Sequence, residues 1–205
     1  MFSRLVVCLS VGVLSACVEQ TYEMPILEDL TSDSIYWLKL EESEKSGDYF
    51  ILDEEVYCGE VAYNSYPLKK IDFESFEVLS GTDYAKDKNH VLYPLQTICV
   101  DGRNWGNCHC TEYIIEGADP LTFEYIGDGF AKDKKNVYSG GVKIKNAISN
   151  EFENLGEGYA RDLSYVYFRS KILNEVDPNS FEVLENGMGQ DSSKTFCYGT
   201  LQTEE

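Results

Sequence analysis

The chain has 205 residues, 43% hydrophobic and 13% aromatic, which excludes a generally disordered polypeptide. Its 17 basic residues stand against 36 acidic ones, for a formal net charge of −19. A surface that acidic repels phosphate backbones, so nucleic-acid binding is not expected.

At the start of the chain, Arg4 supplies a positive charge and Leu5 to Leu14 an apolar run. That run is too short to span a bilayer, which takes about 20 apolar residues. It ends in Leu14-Ser15-Ala16-Cys17, which resembles a bacterial lipobox. The resemblance implies that residues 1–17 are a lipoprotein signal peptide and that Cys17 becomes the mature N-terminus. Cys17 would then carry acyl chains (palmitate among them) that hold the protein on its membrane. The alternative is an ordinary signal peptide. Val18, rather than Asp, follows the cysteine, which by resemblance to Gram-negative lipoproteins favours the outer membrane.

Residues 18–33 are polar and acidic, contain Pro25, and read as a tether. Residues 34–205 read as a single domain with a mainly β fold. Ser34 to Leu40 is the first expected strand, and Glu41 to Asp48 a charged turn. The stretch Phe123 to Tyr138 recurs as Phe152 to Tyr167, with an earlier copy from Phe76 and a decayed one from Phe181. Phe123, Phe152 and Phe181 are 29 residues apart, as are Asp133, Asp162 and Asp191. Such self-similarity marks a repeat architecture. Tyr49 to Gly59 fits the same template, with Asp53, Val56 and Tyr57 in the places of Asp133, Val137 and Tyr138. About five β-hairpin units result, the outer ones irregular, as capping units are.

Within a unit, Asp119-Pro120 and Asp177-Pro178 read as helix caps before a single helical turn, and Asp72 keeps the acid without the proline. Ile148 stands where that Asp should be, so the turn is least expected there. A strand through Gly127 to Ala131, a tight turn at Asp133 to Asn136 and a second strand from Val137 to Ile144 complete the predicted hairpin. The segments Ala85 to Val91, Ala131 to Tyr138 and Ala118 to Phe123 resemble the DKNYY family of bacterial surface and periplasmic proteins. The resemblance covers most of residues 48–198. It implies the repeat and no settled activity, so Asp87, Asp133, Asp162 and the pairs Val137-Tyr138 and Val166-Tyr167 are expected as turn and core residues.

One departure from the period stands out. Asp87 and Asp133 are 46 residues apart, which places a long hairpin insertion at about residues 97–113. It holds Cys99, Cys108, His109 and Cys110, and a tip with Arg103, Asn104 and Trp105. Insertions into repeat arrays often carry binding, so Arg103, Asn104, Trp105 and His109 are the candidate partner contacts. Zinc is disfavoured, because Cys108-His109-Cys110 is cramped for convergence on one ion and a lipoprotein matures in an oxidising compartment. A disulfide from Cys99 to Cys108 or Cys110 is preferred. Cys58 and Cys197 share a repeat position and would meet if the first and last units come together. One of the five mature cysteines besides Cys17 is left odd.

Readings of an enzyme are thin. His90 stands in a turn, and no nucleophile elbow, phosphate loop or zinc-protease helix is present. Carboxylate pairs such as Glu54-Glu55 and Asp128 with Asp133, read as acid and base for sugar hydrolysis, carry little weight in so acidic a chain, and Asp128 with Asp133 as calcium ligands lack the alternating acids of a calcium loop. No cofactor is expected. The preferred function is a membrane-anchored envelope lipoprotein whose repeat surface binds a protein or glycan. An immunity protein against a basic periplasmic toxin is the alternative, and a hydrolase with a carboxylate or metal site the next.

Overall fold

The computed structural model describes residues 35–42, 44–59, 66–99 and 108–202, all within one compact unit, Thr31–Glu205. The expected signal peptide, Cys17, the tether and the tip residues Arg103, Asn104 and Trp105 lie outside the described residues.

The fold is mainly β, built of small antiparallel sheets. Strands β1 (Trp37–Leu38), β2 (Lys45–Ser46), β3 (Tyr49–Leu52) and β4 (Glu55–Cys58) open the domain. Then come β5 (Glu77–Leu79), β6 (Ala85–Lys86), β7 (Val91–Cys99) and β8 (Cys108–Ile114). A regular unit contains β9 (Glu124–Gly127), β10 (Phe130–Lys132), β11 (Val137–Ser139) and β12 (Val142–Lys143). The next repeats it as β13 (Glu153–Gly156), β14 (Tyr159–Arg161), β15 (Val166–Phe168) and β16 (Lys171–Leu173). The last holds β17 (Glu182–Val183), β18 (Met188–Gln190), β19 (Thr195–Cys197) and β20 (Thr200–Gln202). The three sheets of these last units are four-stranded meanders, the β2–β4 sheet has three strands, and the remaining sheet runs β1-β5-β6-β7-β8. Thus β1 skips the β3–β4 hairpin and pairs with β5, with Trp37 opposite Leu79.

The repeat therefore contains more turns than its sequence suggests. The predicted strand through Gly127 to Ala131 is broken, because Gly127, Asp128 and Gly129 all have positive φ (99°, 50° and 78°). Positive φ at both central residues is the signature of a two-residue hairpin turn that follows strand twist. The predicted strand Val137 to Ile144 divides likewise at Gly140-Gly141 (φ 53° and 72°). Part of the expected charged turn before Asp48 is strand β2, and Asp53 with Glu54 forms a positive-φ hairpin turn at 52° and 59°. Asp53 is exposed there, so its match to the buried Asp133 fails. The short helical turns also redistribute. Three-residue 3-10 turns form at Phe73–Ser75 and at Ser149–Glu151, whereas Pro120 and Pro178 lie in plain turns.

Successive strand residues point to opposite faces, so each regular sheet feeds two cores. Ala131 and Tyr138 pack back onto Leu79, Tyr84 and Val91, while Phe130 and Val137 pack forward onto Phe152, Ala160 and Tyr167. Tyr159 and Val166 then meet Phe181 and Phe196. The interior is thus a string of four hydrophobic clusters among the described residues, each shared by neighbouring units.

Hydrogen bonds set the geometry of a unit. Asp133 is 3% exposed, and its Oδ1 accepts the N–H groups of Lys135 and Asn136 at 2.7 Å each. Its Oδ2 accepts the Asp119 N–H at 3.1 Å and the Tyr138 hydroxyl at 2.7 Å. Asp162 repeats this with Ser164, Tyr165, Ile148 and Tyr167. Asp87 and Asp191 keep the backbone bonds but face Leu92 and Phe196 in place of the tyrosine. The lead-in segment is held through a main-chain N–H, so its side chain is free to vary. That is why Ile148 serves as well as Asp119. Burial opposes ionisation of Asp133 most strongly, but the bonds from Lys135, Tyr138, Asn136 and Asp119 outweigh it and hold the carboxyl below its usual range.

A second device joins neighbouring units. The Tyr84 hydroxyl donates to the Gly129 carbonyl at 3.1 Å and accepts the Gly141 N–H at 3.0 Å. Tyr159 does the same one seam later, with Gly187 and Gly199 at 2.9 and 3.0 Å. Each tyrosine thereby satisfies two backbone groups at hairpin turns of the next unit.

Candidate functional site

The insertion is where the array departs from its own geometry. Strand β7 has nine residues and β8 seven, against two to four in the strands of the regular units. Their pairing runs from Leu92 opposite Ile114 to Cys99 opposite Cys108, with irregularities around Gln96. In β7, Leu95 and Ile98 are exposed at 38% and 44%. Opposite Ile98 is His109, half-buried, which also bridges to Gly59 at the end of β4. The arms of the expected hairpin are therefore present, and His109 stands one pair in from the Cys99–Cys108 end, where the arms lead into the connecting residues.

That end of the arms is fixed covalently to the first hairpin. Cys110 is bonded to Cys58, with the two Cα atoms 5.5 Å apart. Both half-cystines are buried in the cluster shared by β3, β4, β5 and β6. This corrects two expectations: Cys110 does not pair with Cys99, and Cys58 does not meet Cys197. The pairing follows from the neighbourhood of β4 and β8, which the Gly59–His109 bridge brings side by side. Cys58 and Cys197 do share a repeat position, opposite Tyr49 and Met188 respectively, but Cys197 is a free thiol. Cys99 and Cys108 are cross-strand partners by backbone register.

Other candidates disperse. Among the described residues no group of three or more His, Cys, Asp and Glu side chains is placed to hold a metal ion. The disulfide removes Cys110 from the zinc set considered with Cys99, Cys108 and His109. Asp128 bonds to Asn154, while Asp133 is engaged by its own turn. The His90 ring lies 3.3 Å from Asp87 Oδ2, inside the turn. A shallow groove of about 680 Å³ lies beside Lys39, Glu42, Asp53 and Phe73.

The sequence reading missed the tyrosines. Tyr138 and Tyr167 are more than core filler, because they complete the aspartate's bonding; the signal is an Asp followed five residues later by Tyr. Residues 102–200 match the DKNYY family model, a span from the insertion through the last sheet. Over these residues the chain belongs to the DKNYY family. No curated protein and no solved structure matches the chain. In DKNYY terms, the Asp-Lys turn is the buried carboxylate's own turn, and the Val-Tyr pair supplies one core residue and one hydroxyl donor.

Proposed function

We propose that this chain is a membrane-anchored envelope lipoprotein that binds a protein or glycan partner through its insertion, without catalysing a reaction. The lipobox resemblance at Cys17 supports the anchor, and Val18 after it favours the outer membrane. The observation that carries the binding reading is the contrast between short, internally satisfied hairpins and one long hairpin with exposed Leu95 and Ile98. Arg103, Asn104 and Trp105 belong to the eight-residue connection between its arms and are the assigned contact residues. Cys99 and Cys108, left over by the Cys58–Cys110 bond and opposed in register, form the second disulfide in this reading.

The test has two parts. Intact mass of protein from its native host, before and after reduction and alkylation, should show an acylated Cys17, two disulfides and a single alkylatable thiol at Cys197. A mature chain beginning without acylation would remove the anchor. For the partner, residues 100–107 are replaced by a two-residue Asn-Gly turn. The cut must spare Cys110, because a wider deletion of 97–111 would remove the core disulfide. A partner cross-linked to the wild-type protein in envelope membranes should be lost from this variant. Equal cross-linking of both would place binding elsewhere on the repeat surface.

A further inference from the structure

The tyrosine plug that joins later units lacks its sockets at the first seam. Tyr49 takes the same strand place as Tyr159: each opens the second strand of its hairpin sheet, opposite Cys58 and Phe168 respectively. Tyr49 is 0% exposed and packs edge-on against Phe76 at 5.6 Å. Its hydroxyl is the one buried side-chain oxygen or nitrogen among the described residues with no hydrogen-bond partner. A buried hydroxyl left unpaired carries an uncompensated desolvation cost, so its isolation calls for a ligand.

The reason lies in the insertion. In the regular units the N–H after the third strand, at Gly140, Arg169 or Tyr198, closes onto the carbonyl before the second strand, at Gly129, Gly158 or Gly187. The next residue, Gly141 or Gly199, gives its N–H to the tyrosine. In the β5–β8 sheet, Ala85 pairs with Leu92, so the corresponding carbonyl is that of Asp83 and the closing residue is Pro94. Proline has no N–H. The turn cannot close, and β7 runs on as the arm of the insertion. The proline that opens the long hairpin thus leaves an unfilled polar place beneath it.

Two carboxylates lie within electrostatic reach of that hydroxyl. Asp48 precedes Tyr49, and Asp83 supplies both its carboxylate and the unclosed carbonyl. The two loops lie against each other: a methyl group on Gly47 would fall 3.2 Å from Asp83 Oδ1 and 3.0 Å from the Thr82 carbonyl. No Lys or Arg among the described residues forms an ion pair with either acid. Burial, and after it the charge of Asp48, pushes the Asp83 carboxyl above its usual range. The charges of Asp83 and Asp48 also act on the Tyr49 hydroxyl, after the larger effect of burial.

We propose that Asp48, Asp83 and the Tyr49 hydroxyl hold a hard divalent cation of the calcium type at the root of the insertion. All the donors are oxygens, and such a site with two carboxylates takes the rest of its shell from carbonyls and water. The cation does electrostatically what the missing turn N–H does at other seams: it answers the hydroxyl's and the carbonyl's lone pairs and joins the first hairpin to the sheet that carries the insertion.

The test uses the full-length protein and terbium, a calcium mimic whose emission is excited through nearby tyrosines. Saturable emission is expected, reversed by calcium with a dissociation constant of about 10⁻⁴–10⁻³ M, the range of extracellular calcium modules. Calcium should also raise the melting temperature. Asp48→Asn with Asp83→Asn should weaken both responses at least tenfold, Tyr49→Phe should weaken them without removing a charge, and Glu116→Gln, on an exposed acid elsewhere, should leave them unchanged. An absent response in the wild-type protein would overturn the proposal and leave a buried water as the hydroxyl's partner. An equal response in the wild-type and Tyr49→Phe proteins, or in the wild-type and double-Asn proteins, would assign the ions to the general acidic surface.

Discussion

The seams around residues 130–200 and the seam beneath the insertion solve one problem in two ways. In the former, each hairpin turn closes on itself and a tyrosine or phenylalanine from the preceding unit fits against it. In the latter, Pro94 prevents closure, the arms extend, and the bond from Cys58 to Cys110 holds the sheets together. In this array the unit that gives up its closing turn for a projecting hairpin is the one in which a disulfide takes over that structural role.

The comparison can be broken first at the disulfide. Replacing Cys58 and Cys110 by Ser releases a bond between residues separated by 52 positions. The chain-entropy argument for a loop of that length gives a loss of roughly 4 kcal/mol, checked by urea unfolding of oxidised wild type and the double variant. A change below about 1 kcal/mol would show that the insertion seam stands without its bridge.

Next in size is Asp133→Ala. It strands the Lys135, Asn136 and Asp119 N–H groups and the Tyr138 hydroxyl, for a loss of about 3 kcal/mol. Asp191→Ala, at a more exposed turn with Phe196 in the tyrosine's place, should lose about 1–2 kcal/mol. Equal losses would mean that the tyrosine bond contributes nothing.

Tyr159→Phe should cost about 1 kcal/mol, since the Gly187 carbonyl and Gly199 N–H lose their partner. Tyr49→Phe in calcium-free buffer should be neutral or slightly stabilising, because it removes a buried hydroxyl that has no partner. That difference in sign is the sharpest statement of the contrast between the seams.

The smallest effect is a pH dependence. Asp133 and Asp191 have carboxyls held below the usual range, burial opposing and hydrogen bonds prevailing. Their contribution is fully present above the unfolded carboxylate pKa of about 4 and is lost as pH falls below it through the folded value. Denaturation midpoints measured from pH 6 downward should fall more steeply for wild type than for Asp133→Asn.

Much of this was legible in the sequence. The spacing of 29 residues located the units, and the interruption between Asp87 and Asp133 located the insertion. The count of strands was not, because Gly127-Asp128-Gly129 reads as part of a strand until its three positive φ angles are seen. Asp53 was misplaced because matching a letter in a turn does not distinguish an exposed two-residue loop from a buried carboxylate. Cysteine pairing was out of reach, since it depends on which strands lie side by side, here β4 and β8, and register within one strand does not reveal that. Ile148 looked like a defect because the contact it makes belongs to its backbone.

That last feature bears on how such a protein changes over generations. Each unit brings its own carboxylate to fasten its own lead-in segment, and its two faces offer neighbours the same kinds of contact. Duplicating or deleting a block of 29 codons therefore lengthens or shortens the molecule while leaving the carboxylate fastening within each remaining unit intact.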